Sequence, residues 1–349
     1  MTAITRRSGE EPAVLGFALV PNFSMIAFAS ALEPLRLANR VSREEIFRWR
    51  LFSPDGRPVN ASNGVAVTVD GAYSDMADLR DVVVCGGIDV QKINHGALIA
   101  RLRKLASQGV SIGAVCTGPF ILAQSGLLDG YRCTIHWENY DSFREQFPHL
   151  EVTQELYEID RNRFTCAGGT AAIDMMLKVI STTTQDHEVA ALVTDELIHH
   201  RMRDSNERQR MELRSRLGVA HPKLLAVVAE MEKRLERPAT CAQLAKRAGL
   251  SPRQLERLFQ KYIGSTPTRY YLGVRLDRAR HLLLQTSIPI LSVGIACGFV
   301  SASHFSKCYS EHFRRTPSDE RRGSSRGVRA DAGAKTPAGV TMVEMLAGS

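Results

Sequence analysis

Nowhere in the 349 residues does an apolar run approach the roughly 18 needed to enter a membrane as a spanning helix. The amino terminus also lacks a signal peptide's apolar stretch, since Gly9, Glu10, Glu11 and Pro12 follow Arg6 and Arg7. Seven cysteines (85, 116, 133, 166, 241, 297 and 308) are scattered, odd in number and without a Cys-x-x-Cys pair, which argues against a disulfide framework or a zinc site. A cytoplasmic protein with reduced thiols, no membrane partner, no metal and no cofactor is expected. What the chain does have is a globular composition, 44% apolar and 23% charged, and a length that suits two domains. Its net charge of +8 is unevenly placed: residues 1–218 carry 24 basic and 27 acidic side chains, whereas residues 219–322 carry 18 and 8. So concentrated a surplus suits a polyanionic partner such as nucleic acid, or else a solubilising face.

The first two hundred residues alternate apolar runs with helical patterns, as in an α/β fold on a largely parallel sheet. Strands are expected at Ala13–Val20, Phe47–Phe52, Val65–Val69, Asp81–Cys85, Val110–Val115, Cys133–His136 and Arg163–Cys166. Helices are expected at Met25–Arg40, Ala97–Ser107, Pro119–Gln124, Glu138–Phe147, Thr170–Thr182 and Glu188–Met202. The division that follows is an α/β domain over 12–200, a connector over 201–218 centred on the charged run Asn206–Arg216, an all-α domain over 219–320, and a disordered tail over 321–349 rich in Gly, Ala, Ser and Arg.

Within the basic segment, Thr240–Ala248 forms a short amphipathic helix that ends at Gly249. Ser251 then caps a second helix, with Pro252 in its first turn and Gln254 completing a capping box. Burying Leu255, Leu258 and Phe259 leaves Arg253, Gln254, Arg257 and Lys261 facing out, the arrangement of a helix-turn-helix. The pattern then repeats. Leu244, Ala248, Gly249 and Leu250 recur 49 residues on as Val293, Cys297, Gly298 and Phe299, while Leu255, Phe259 and Pro267 recur at 50 as Phe305, Tyr309 and Pro317. A long helix over Arg269–Leu284 joins the copies and carries Arg275, Arg278 and Arg280.

Ala-Gly-Leu-Ser-Pro-Arg-Gln-Leu at 248–255, Ala-Cys-Gly-Phe at 296–299, Ser303-His304-Phe305 and Thr316-Pro317 closely resemble the DNA-binding domain of AraC/XylS-type transcription regulators. The resemblance covers about 221–317. It implies that one chain reads two successive major-groove segments of double-stranded DNA, roughly 34 Å apart. Base edges would be met by Arg253, Gln254 and Arg257 from the first reading helix and by Ser303, His304 and Lys307 from the second. Lys261, Arg269, Arg275 and Arg314 would lie on phosphates.

In the first domain, Val-Ser-Ile-Gly-Ala-Val-Cys-Thr-Gly-Pro at 110–119 is an apolar strand running into Cys116 and then a helix. Such a strand-to-helix elbow exposes the thiol, and the helix amino terminus is expected to favour thiolate. Gly86 and Gly87, ending another strand, have backbone N–H groups suited to lining the same pocket, and His136 in Thr-Ile-His-Trp could serve the thiol as a base.

This set resembles the PfpI-like cysteine hydrolases and deglycases, relatives of class I glutamine amidotransferases, with a doubly wound, flavodoxin-like fold. Members place a glutamate beside the thiol; aligning on Glu33-Pro34-Leu35-Arg36 puts Ala27 there, and no acid lies between Pro21 and Ala31. A binding pocket is therefore expected in place of a catalyst. A PfpI-like domain ahead of a double helix-turn-helix resembles the GlxA-type subgroup, to which Gly168-Gly169-Thr170-Ala171-Ala172-Ile173-Asp174 also fits. That resemblance implies an activator of catabolic genes that senses arginine, glycine betaine or carnitine and works with RNA polymerase. Trp137 is then the expected wall for a quaternary amine, with Phe23, Phe28 and Tyr140 behind it. Asp174 would hold a ligand amine or cap its helix. A thiol hydrolase with an accessory DNA-binding domain, and an architectural protein dimerised by its first domain, are the alternatives. Asn206–Arg216 or exposed helices of the first domain could make a homodimer on paired operator sites.

Overall fold

The structure, a computed structural model, describes residues 11–210 and 213–326. The run Ala-Val-Leu-Gly-Phe-Ala-Leu is buried along nearly its whole length, as a central parallel strand requires, and forms β1 (Ala13–Leu19). Helix α1 (Met25–Ser42) returns along the sheet to β2 (Phe47–Ser53). A small ribbon of β3 (Val59–Asn60) and β4 (Ala66–Val67) and the short β5 (Gly71–Ala72) precede β6 (Asp81–Cys85). Then come α2 (Gly96–Ser107), β7 (Ser111–Val115), α3 (Pro119–Gln124), β8 (Arg132–Thr134), α4 (Tyr140–Gln146), β9 (Glu151–Thr153), β10 (Tyr157–Asp160), β11 (Arg163–Cys166), α5 (Ala171–Thr184) and α6 (His187–Glu196). Sheet order is β10-β11-β7-β6-β1-β2-β5, parallel throughout except for the β10-β11 edge pair.

Alternation along the strands feeds two cores. Leu15, Phe17, Leu19, Val83 and Cys85 face α1, α5 and α6, whereas Ala18, Val20, Val82 and Val84 face α2, α3 and α4. Each fully buried Leu, Val or Phe contributes roughly 1.5–3 kcal/mol, so this double layer fixes the strand order firmly. Because β11, β7, β6 and β1 are neighbours, the loops at their carboxyl ends converge, the usual ligand position in open α/β sheets.

Several expected elements fall elsewhere. Val65–Val69 is reduced to β4, outside the main sheet, and Cys133–His136 shortens to β8, paired with β9 in a separate ribbon. Glu188–Met202 stops at Glu196, after which Ile198 adopts a positive φ of 52°. Strand β10 carries a half-polar edge sequence, Tyr-Glu-Ile-Asp, and gives no apolar run to detect.

After Arg210 the chain enters α7 (Leu213–Leu217), followed by α8 (Pro222–Lys233), α9 (Cys241–Arg247), α10 (Pro252–Ile263), α11 (Pro267–Gln285), α12 (Ile290–Ala296), α13 (Ala302–Phe313) and α14 (Pro317–Arg326). Leu213 and Leu217 pack on the first helical core, so the end of the connector read from the sequence already belongs to that core. Residues 321–326 are helical, against the expected disorder; the rest of that tail lies outside the described residues. Helix α11 spans both helical cores, giving Tyr271 to the first and Leu276, Ala279, Leu282 and Leu283 to the second.

Candidate functional site

Strand β7 delivers Cys116 at a positive φ of 62°, and its N–H donates to Cys166 O at 3.0 Å. Such a backbone is held only where neighbours over-determine it. Gly168 is one of them, because a Cβ there would stand 2.8 Å from Cys116 Cα. The thiol is partly buried and meets the Thr117 N–H and the Ser24 hydroxyl. Ser24 caps α1, accepting from the Ala27 N–H at 3.4 Å, while Ala27 itself is fully buried and brings no carboxylate. Burial pushes the thiol up to about 11 despite those two hydrogen bonds, so Cys116 is protonated at neutral pH. Against the expected thiolate, desolvation outweighs the hydrogen bonds from Thr117 and Ser24.

His136 lies beside the elbow through its backbone, donating to Cys116 O at 3.2 Å. Its ring turns toward Glu138, with Nδ1 3.9 Å from Oε2, and desolvation holds its pKa below the usual range. Among the described residues no hydrogen bond joins that ring to the thiol, so nothing here assembles a nucleophile with its base.

The other expected ligand residues are largely occupied. Gly86 donates its N–H to Val115 O at 3.3 Å and accepts from Ser24 N at 3.0 Å, and Gly87 O accepts from Thr117 Oγ1 at 2.6 Å. The pair packs turn against turn, so the Gly86 N–H is spent inside the fold. Asp174 is fully buried and takes His199 Nε2 at 3.0 Å, Arg203 N at 2.7 Å and the Arg203 guanidinium at 2.9 and 2.6 Å. It neither caps α5 nor awaits an amine; it anchors the segment that leaves α6. Phe23 and Phe28 sit in the core, ring edge to ring face at 5.6 Å, and Tyr140 is stacked by Arg144. Trp137 alone remains 36% exposed, and the Arg210 guanidinium covers its ring at 4.5 Å. An open depression of about 400 Å³ between Val41, Leu192, Asp195, Glu196 and Ile198 includes none of these residues.

Sequence reasoning missed Ser24, Arg203, Gln209 and Arg210. Ser24 before an apolar helix is a visible cap signal, but its approach to the thiol depends on β1 and β7 lying on either side of β6.

In the helical domain, Ser251 Oγ accepts from Gln254 N at 3.2 Å while Gln254 Oε1 accepts from Ser251 N at 2.8 Å, completing the capping box. Arg253, Gln254, Arg257 and Lys261 are exposed along α10; because Gln254 Oε1 is engaged, Nε2 is its free donor. On α13, Ser303, His304 and Lys307 are exposed at the equivalent positions, and His304 Nε2 lies 3.4 Å from Cys308 Sγ. Arg269 and Arg314 are also exposed. Arg275, expected on a phosphate, is turned onto the second turn: it donates to Cys297 O and Gly298 O, each at 2.7 Å, and stacks on Phe299 at 4.3 Å.

Comparison with known proteins agrees with this two-part design. A helix-turn-helix domain model matches residues 244–323 and a DJ-1/PfpI family model matches 28–182. The HTH-type transcriptional regulator GbdR of Pseudomonas aeruginosa is 46% identical over 316 residues, 90% of this chain and 86% of that protein. CdhR, an HTH-type transcriptional regulator from the same organism, is 45% identical over 307 residues, 87% and 90% of the two chains. The crystal structure of an AraC family transcriptional regulator from Pseudomonas putida superposes with a TM-score of 0.50 at 28% identity, covering 53% of this chain and all of that one. With its duplicated reading helices behind a DJ-1/PfpI-type α/β layer, the chain belongs to the AraC-family, GlxA-type HTH transcriptional regulators and is a DNA-binding protein.

Proposed function

We propose that this regulator is an activator whose first domain binds a small nitrogenous metabolite of the arginine, betaine or carnitine class beside Cys116, His136 and Trp137, without chemical turnover. What carries this reading is the pairing of the Cys116 thiol with Ser24, where an enzyme of this architecture needs an acid. The His136 ring is directed at Glu138 and makes no hydrogen bond to the Cys116 thiol among the described residues, so the thiol has no base placed to activate it. Trp137 offers a ring face that already holds a cation, the contact such a metabolite would make. Arg253, Gln254 and Arg257, with Ser303, His304 and Lys307, read base edges; Lys261, Arg269 and Arg314 position the protein on phosphates. The protein works in the cytoplasm, as a homodimer on paired operator sites, and engages RNA polymerase.

Three measurements test this. A thermal-shift screen of amino acids, betaines and polyamines should raise the melting temperature for one chemical class, since a ligand bound only to the folded state stabilises it. Cys116→Ser should then retain operator binding and at most change the ligand response; total loss of regulation with folding and ligand binding preserved would instead support covalent chemistry. In a gel-shift series, Arg257→Ala should weaken binding by about 1–3 kcal/mol at a single operator position. Uniform loss across operator variants would reassign Arg257 to a phosphate.

A further inference from the structure

Between α6 and α7 the chain does not hang free; it is laid along the first domain from Arg203 to Arg210. Arg203 is tied to Asp174, and Ser205 O accepts from Leu156 N at 2.9 Å. Arg208 pairs with Glu155 as an antiparallel bridge. Gln209 then buries its amide, with Nε2 at 3.0 Å from Thr134 Oγ1, 3.0 Å from Ile135 O and 2.9 Å from Glu155 O. Two N–H bonds are spread over three acceptors, and among the described residues Gln209 Oε1 is buried with no hydrogen-bond partner. One residue later the Arg210 guanidinium covers the exposed ring of Trp137.

Trp137 is connected on both sides. Its neighbour His136 is hydrogen-bonded to the Cys116 carbonyl, and the turn it begins leads into α4. Helix α4 is docked on α11, with Ser142 Oγ donating to Gln285 Oε1 at 2.9 Å and Arg278 lying 3.4 Å from Asp141. Beyond Arg210 the strap runs into α7, which is held to α8 by Arg216 and Glu232 and packs on the first helix-turn-helix core. Contacts thus run from Trp137 toward both copies of the helix-turn-helix unit, one way through the strap and the other through α11.

We propose that Arg210 is a tethered occupant of the Trp137 face, and that an organic-cation effector binds by displacing it and freeing the strap that leads into the DNA-reading domain. This rests on the effector-site reading above and adds the mechanism of release. A guanidinium on an indole face is replaced by another cation at little cost in that contact. The poorly satisfied Gln209 amide beside it makes the strap easier to lift than a fully paired segment would be.

The test uses the full chain, with isothermal titration of glycine betaine, tetramethylammonium and arginine. Arg210→Ala is expected to bind the responding cation about five- to tenfold more tightly than the native chain, because no tethered competitor must leave. Arg210→Lys should fall between them, and Trp137→Ala should lose binding in either background. Hydrogen exchange over 203–210 should rise on cation binding in the native chain and be raised without ligand in Arg210→Ala. The sign is diagnostic, since losing a merely structural contact would weaken binding. Unchanged or weaker affinity in Arg210→Ala, for a cation that the native chain binds through Trp137, would overturn the competition and leave the site. No binding of any of these cations by either chain would overturn both.

Discussion

The two helix-turn-helix copies reach one geometry by different means. In the first, side chains close in sequence hold the helices: Thr240 with Gln243 and Ser251 with Gln254 form reciprocal capping boxes. In the second, Ser301 caps α13 without a reciprocal partner, Pro289 precedes α12 with no side-chain cap, and the turn is held from a distance by Arg275. Aromatic packing is also denser there, with Phe299, Phe305, Tyr309 and Phe313 in successive contact. Both turns also receive a distant side chain, Lys223 Nζ donating to Gly249 O at 3.1 Å in the first and Arg275 donating to Cys297 O and Gly298 O in the second, so the copies differ in their local caps more than in having distant support. With fewer local caps, the second copy should be the more sensitive to removal of its distant contact.

The paired turn glycines give the largest expected contrast. Both have positive φ, 62° at Gly249 and 75° at Gly298, so alanine is strained at either by about 1–2 kcal/mol. Around Gly249 nothing lies closer to a new Cβ than Lys223 Nζ at 3.7 Å, whereas at Gly298 it would stand 2.5 Å from Leu235 O and 2.6 Å from Pro238. Overpacking adds roughly 1–3 kcal/mol, so Gly298→Ala should cost about 2–5 kcal/mol against about 1–2 for Gly249→Ala. Urea unfolding of both variants checks this; equal losses would show the copies to be equally buttressed.

Next in size is the clamp. Arg275→Ala removes two charge-assisted hydrogen bonds and a ring stack, an expected destabilisation of about 2 kcal/mol. Operator binding should weaken mainly at the half-site read by α13, with the salt dependence of the remaining binding unchanged. A native melting temperature together with a salt slope smaller by about one would instead make Arg275 a phosphate contact.

The same contrast governs what could be read from the sequence. The parallel order, both helix-turn-helix copies and the elbow at Cys116 were legible, because apolar period, cap residues and turn glycines are local signals. Arg275 shows the opposite case: a basic residue on a long helix reads as a phosphate contact, and only the fold shows its guanidinium bonded to the turn 22 residues away. Asp174 likewise reads as a cap at a helix start, yet its partners are His199 and Arg203, 25 and 29 residues on. Both copies present their exposed polar and basic residues at equivalent positions because inward apolar residues determine which positions are left outward, and that pattern is written in the chain itself.

The smallest expected effect tests the one device the copies share. Ser251 Oγ and Ser301 Oγ each accept from the N–H of the third helical residue, Gln254 and His304, at 3.2 Å. Replacing either serine by alanine should cost about 1 kcal/mol, the usual worth of an amino-terminal cap. The capping box adds a second bond at Ser251, from its backbone N–H to Gln254 Oε1, which Ser251→Ala leaves formally intact. Equal losses in the two variants would mean that the hydroxyl alone sets the cap and that the Gln254 bond to the Ser251 N–H acts independently of it. A larger loss at Ser251 would mean that its two bonds are cooperative, in which case Gln254 is tied to the cap and Arg253 and Arg257 carry the reading of the first half-site.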